Sequence, residues 1–141
     1  MAAPVTRTPA RPARRLATPL GLLAGAAAAF TYVGLVNPNH PGHYPVCPLY
    51  ALTGVYCPGC GGLRCAHAVA TGDLATALHD NALAVAGFAV CAVLWVRWVW
   101  RVSTGRPAGI GVGAHWGWIV GGLAVAFTVV RNLPFGAMLA P

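Results

Sequence analysis

The residues best suited to chemistry in this chain are its cysteines. Of the five, four stand close together as Cys47, Cys57, Cys60 and Cys65. Cys57-Pro58-Gly59-Cys60-Gly61 is a tight C-x-x-C turn. Three kinds of chemistry suit it. In a metal knuckle both thiolates point into a common centre, and Cys-Pro-x-Cys-Gly is a frequent form of zinc-ribbon turn. A redox pair cycles between dithiol and disulfide. A structural bridge from Cys47 to Cys57 or Cys60 pins a loop in an oxidising compartment. Haem attachment is excluded, because C-x-x-C-H needs histidine where Gly61 stands.

The choice among these depends on partners. Structural zinc usually takes four protein ligands. Cys47, Cys57 and Cys60 supply three, and Cys65, His67 or His43 is the candidate for the last. For a redox role, the stretch from Gly62 to Ala70 reads as a helix with Cys60 near its start. The helix dipole and Arg64, one turn on, then favour the Cys60 thiolate, and His67 lies on about the same face. No thioredoxin-like βαβ pattern surrounds the motif, which counts against that role. The fifth cysteine, Cys91, sits within an apolar run and reads as a small apolar residue. Beyond the turn, Gly72 breaks the helix and Asp73 is a plausible N-cap for the next one, with Leu74, Ala77 and Leu78 on its apolar face. His79 and Asp80 read as polar residues marking a helix end.

The elements that must position these groups are apolar. The chain has 141 residues, 57% hydrophobic and only 8% charged, with a mean hydropathy of +0.66. Too little polar surface is available for a water-soluble domain, and too much apolar content for disorder. Residues 1–15 read as a disordered basic tail. Three apolar runs follow, at about 16–36, 82–100 and 110–130, each near the length that crosses a bilayer as a helix. The first is too long for a signal-peptide h-region and reads as an uncleaved span. Trp95, Trp98, Trp100 and Arg101 close the second run as interfacial anchors do. A cysteine-containing loop at 40–81 joins the first two runs, and 131–141 is a short tail.

Nine arginines against two acidic residues give a net charge of +7. Arg7, Arg11, Arg14 and Arg15 precede the first run, and Arg97, Arg101 and Arg106 flank the end of the second. This distribution places the N-terminus in the cytoplasm and the cysteine loop outside it. No aromatic residue interleaves the tail arginines, so nucleic-acid binding is not supported. Gly113, Gly117 and Gly121 repeat every four residues, as do Gly21 and Gly25. Such strips let a neighbouring backbone approach, so a homo-oligomer or a membrane-protein partner through these faces is one expectation; chance in a Gly-rich chain is the other.

Cys47-Pro48, Leu52-Thr53-Gly54, Cys57-Pro58-Gly59-Cys60-Gly61, Arg64, Gly72-Asp73 and Asn81 with Leu83 together resemble the motif of a family of small bacterial membrane proteins, domain of unknown function 2752. The resemblance runs from Cys47 to about Leu83 and, by position, into the following helix. Two departures are visible: Leu63 stands where the family often has Thr, and Ala82 where Pro often follows Asn. Cys65 looks like an extra of this sequence. The resemblance implies a membrane setting and a shared cysteine site, but no activity.

The expectation is therefore an all-α membrane protein of three spanning helices in the bacterial cell membrane. One or two short interfacial helices lie in the loop between the first two. The preferred function is non-enzymatic: an accessory or scaffold protein whose Cys47/Cys57/Cys60 cluster binds metal, zinc among the candidates, or forms a structural disulfide. The rival is a membrane thiol–disulfide oxidoreductase or metal-handling protein using Cys57 and Cys60.

Overall fold

A computed structural model of the chain describes residues 12–40, 42–107, 113 and 115–140. The regular elements among them are helices: α1 (Pro12–Leu35), α2 (Pro48–Thr53), α3 (Gly62–Thr71), α4 (Leu74–Ser103) and α5 (His115–Arg131), then a 3-10 helix at Pro134–Leu139. The all-helical expectation holds for the described residues. The boundary of the basic tail does not, because α1 begins at Pro12 rather than at residue 16. Proline at the first turn of a helix loses no hydrogen bond, which suits that start. The rest of the expected tail, residues 1–11, lies outside the described residues.

Among the described residues two helices, not three, are long and apolar enough to cross a membrane: Leu16–Leu35 and Leu74–Ser103. The third expected span is corrected to α5, a helix of 17 residues. At 1.5 Å per residue it is roughly 26 Å long, short of the ~30 Å hydrocarbon core. Gly113 precedes this helix and is not part of it, while the expected start near residue 110 lies outside the described residues.

The expected short helix after Asp73 and the second span form one element with a break. The Asp73 carboxylate caps α4, accepting from the Thr76 amide at 3.0 Å and the Thr76 hydroxyl at 2.6 Å. At Asn81 the backbone is extended (φ −164°, ψ 90°). There the Asn81 side-chain oxygen accepts from the Ala84 amide at 2.9 Å and starts the helix afresh. The portion after the break is about 33 Å long, a match to a bilayer.

Helices α1, α3 and α4 pack together. Small residues allow it: Cys65, Ala68 and Ala77 are buried, with Val69, Ala84, Val85 and Phe88 against them. Phe30 of α1 meets Phe88 of α4 edge-on at 5.3 Å. Closer to the other end, the Trp95 indole donates to the Pro19 carbonyl at 3.0 Å. Gly72, at φ +85°, reverses the chain between α3 and α4. The outer faces are left apolar: Leu20, Leu22 and Leu23 of α1, and Val90, Val93 and Val96 of α4, are exposed. Among the described residues nothing lies within 4 Å of where a Cβ would stand at Gly21, Gly25, Gly117 or Gly121, whereas one at Gly113 would meet the His115 ring.

Candidate metal centre

Local backbone chemistry builds the thiol turn. The Cys60 amide donates to the Cys57 carbonyl at 3.1 Å and the Gly62 amide to the Gly59 carbonyl at 2.9 Å. Gly61 takes φ +79°, a conformation open to glycine, and so launches α3 directly from the turn. Helix α2 returns the chain to the same place. It begins after Cys47 with Pro48 in its first turn and ends at Gly54, φ +69°. Tyr50 and Tyr56 stack at 4.6 Å between ring centres and hold the two arms together.

The result is a convergence of three sulfur atoms. Cys57 Sγ lies 3.0 Å from Cys60 Sγ and 3.6 Å from Cys47 Sγ. All three ligand atoms fall within 4.8 Å of one another. Tetrahedral zinc with bonds of ~2.3 Å sets its sulfurs about 3.8 Å apart. Cys47 and Cys57 are near that already, and the Cys57–Cys60 pair must open by about 0.8 Å.

The thiols differ in character. Burial pushes the Cys60 thiol up to about 12. The sequence expectation of a favoured Cys60 thiolate is reversed: desolvation comes first among the causes, followed by the hydrogen bond to the Cys57 thiol. Cys47 moves the other way, lowered first by the Tyr50 amide and then by the Cys57 and Cys60 thiols. The Cys57 amide also donates to Cys60 Sγ at 3.2 Å, fixing where that sulfur points.

Groups distant in sequence grip the turn by its carbonyls. Asn81, at the break in α4, donates from Nδ2 to the Pro58 carbonyl at 2.9 Å and the Cys60 carbonyl at 3.0 Å. Arg131, the last residue of α5, donates from Nη1 to the Cys57 carbonyl at 3.0 Å and the Cys60 carbonyl at 3.1 Å. Asn132 pairs with the Tyr56 backbone twice, accepting from its amide and donating to its carbonyl, each at 2.9 Å. Arg131 is only 1% exposed, yet among the described residues its Nε and Nη2 have no partner. Its guanidinium lies between the Phe127 ring at 4.9 Å and the Tyr56 ring at 5.6 Å. The sequence reading, which placed residues 131–141 in a short tail, missed this role. The one available signal was a polar pair closing an apolar run.

The remaining candidates stand elsewhere. Cys65 is fully buried, its thiol donating to the Asn81 carbonyl at 3.6 Å. Burial pushes that thiol up as well. His67 Nδ1 lies 2.8 Å from the Val33 carbonyl oxygen and so carries the proton, tying α3 to α1. Neither joins the three sulfurs, and neither does His43, which is exposed. Asp73 serves as the helix cap described above, and Cys91 is exposed on α4. Arg64 lies beside the cluster, on the wall of a cleft that Cys47 and Cys60 also line.

Residues 47–95 match the model of a family described as Protein of unknown function (DUF2752). No curated protein and no solved structure matches the chain. The matched segment begins at the first of the three clustered cysteines and takes in the turn, α3, the break at Asn81 and α4 as far as Trp95.

Proposed function

We propose that this chain is a non-enzymatic membrane accessory protein whose Cys47, Cys57 and Cys60 thiolates hold one thiophilic divalent ion, zinc first. The observation that carries the reading is the meeting of three sulfur atoms rather than two. A disulfide uses one pair and leaves the third thiol without a purpose; a metal uses all three. The buried Arg131 supports it further. A divalent ion with three thiolates has net charge −1, and a buried cation without an acidic partner is costly unless something anionic stands near it. The metal–thiolate group is that anion.

The membrane setting rests on α1 and α4. The most apolar stretch of α4 has no buried residue, unlike the core helix of a soluble protein. Lipid is the solvent that such a surface fits. The arginine distribution favours a cytoplasmic N-terminus and an outward-facing cysteine loop. The open glycine faces leave room for a second copy or a membrane-protein partner.

The rival reading, thiol–disulfide exchange, is favoured by the 3.0 Å approach of Cys57 and Cys60. Metal analysis decides between them. Protein purified without chelator or reductant is expected to carry about one zinc per chain, lost in Cys57→Ser. A peptide map showing a Cys57–Cys60 or Cys47–Cys57 bridge, with no metal, would overturn the metal reading in favour of redox or structural disulfide chemistry.

A further inference from the structure

We propose that the fourth coordination position of this centre is left for a thiolate from outside the chain, admitted through the cleft beside Cys47 and Cys60; this rests on the metal reading above. Among the described residues no fourth Cys, His, Asp or Glu joins the three sulfurs. Cys65 and His67 are held by the Asn81 and Val33 carbonyls. Three protein ligands and a vacant position are the arrangement by which a metal receives an external ligand.

The cleft supplies access. Its volume is about 560 Å³, and besides Cys47 and Cys60 it is lined by His40, Tyr50, Tyr56 and Arg64. That size admits a small molecule or the tip of a peptide. Charge selects an anion. The trithiolate of a divalent ion carries −1, balanced by Arg131; a fourth anionic ligand adds one more, and Arg64 in the cleft wall answers it. Softness selects sulfur, because an ion already held by three thiolates matches a fourth thiolate better than a hard oxygen donor. The exchange is balanced: the incoming thiol gives its proton to water, its sulfur lone pair bonds to the metal, and a metal-bound water leaves. No electron is transferred. A free small thiol and a cysteine side chain of a partner protein share this chemistry.

Cobalt makes the site visible. Full-length protein in detergent is loaded with Co²⁺, whose sulfur-to-metal absorption scales with the number of Co–S bonds. It is then titrated with 2-mercaptoethanol in one arm and with the blocked tripeptide N-acetyl-Gly-Cys-Gly-amide in the other. The expected result is a saturable rise of roughly a third, as three Co–S bonds become four. Ethylene glycol, the oxygen analogue, leaves the spectrum unchanged. A response to the small thiol alone assigns the site to free thiols; a response to the peptide admits a partner's cysteine. In Arg64→Gln the thiol concentration needed for half-saturation of bound cobalt rises about tenfold. Failure to bind cobalt at all counts against the metal reading itself. Bound cobalt whose spectrum neither thiol moves, or that already shows four Co–S bonds, overturns the inference while leaving the metal reading intact.

Discussion

Replacing Arg131 with methionine separates what a buried cation does in the empty site from what it does in the loaded one. In the metal-free protein the substitution removes two charge-assisted hydrogen bonds, each worth about 1.5–3 kcal/mol. It also removes a buried charge with two unpartnered nitrogens, Nε and Nη2. Neither carbonyl is orphaned: the Cys57 oxygen keeps the Cys60 amide, and the Cys60 oxygen keeps Asn81. These opposed terms leave metal-free stability changed by no more than about 1–2 kcal/mol. The loaded protein is different, because the trithiolate group loses its counter-charge. For opposite unit charges on the order of 6 Å apart in an effective dielectric of about 20, such an attraction is roughly 3 kcal/mol, about a hundredfold in zinc affinity. Arg131→Lys keeps the charge but loses the fork, and stays within about tenfold of the native chain. The assay is competition for zinc against a chromophoric chelator, with thermal unfolding of both forms alongside. Native zinc affinity in Arg131→Met, or equal losses in the two variants, would refute the charge argument.

Three further outcomes follow from the same geometry. Asn81→Ala removes both bonds to the turn and the cap at Ala84, and is expected to cost about 2–4 kcal/mol, read from thermal unfolding in detergent; an unchanged midpoint would count against the clasp. In metal-free protein at pH 8, maleimide should label Cys47 well before Cys60, since a thiol at about 12 is only about one part in ten thousand thiolate there. Raising the pH towards 12 should accelerate Cys60, and mass-mapped rates equal to those of Cys47 at pH 8 would contradict the burial argument. A Cβ at Gly136 would collide with the Val130 carbonyl. Gly136→Ala should therefore destabilise by about 1–3 kcal/mol and weaken zinc binding together, because it pushes on the backbone that carries Arg131; a variant that melts and binds as the native chain does would show that this end is pliable.

The sequence disclosed what local pattern can carry. Apolar runs of the right length announced α1 and the outer part of α4, and the Cys-Pro-Gly-Cys-Gly turn marked two of the three clustered sulfurs. Cys47 was named a partner only as a further cysteine of the same loop; the short helix from Pro48 to Thr53 that brings it back to the turn was not anticipated. Arg131 and Asn132 were not legible, because their partners lie 71 to 76 positions away. Cys60 was misjudged for a related reason: dipole and nearby charge are visible in a sequence, while the depth of burial that opposes them comes from helices elsewhere. Asn81 was legible only as part of a motif. The structure gives its reason, an extended residue that caps a restarting helix, and position 82 is then the first helical residue, where proline is tolerated.

The placement of Arg131 also sets an order of events during synthesis. The sulfur ligands are complete once Cys60 has been made, but the residue that neutralises them emerges 71 positions later. On the metal reading proposed above, a ribosome-held chain halted before α5 would offer three thiols without Arg131 beside them, and would bind a metal ion weakly. On that same reading, firm capture awaits α5, so an occupied centre would report that synthesis has passed Arg131.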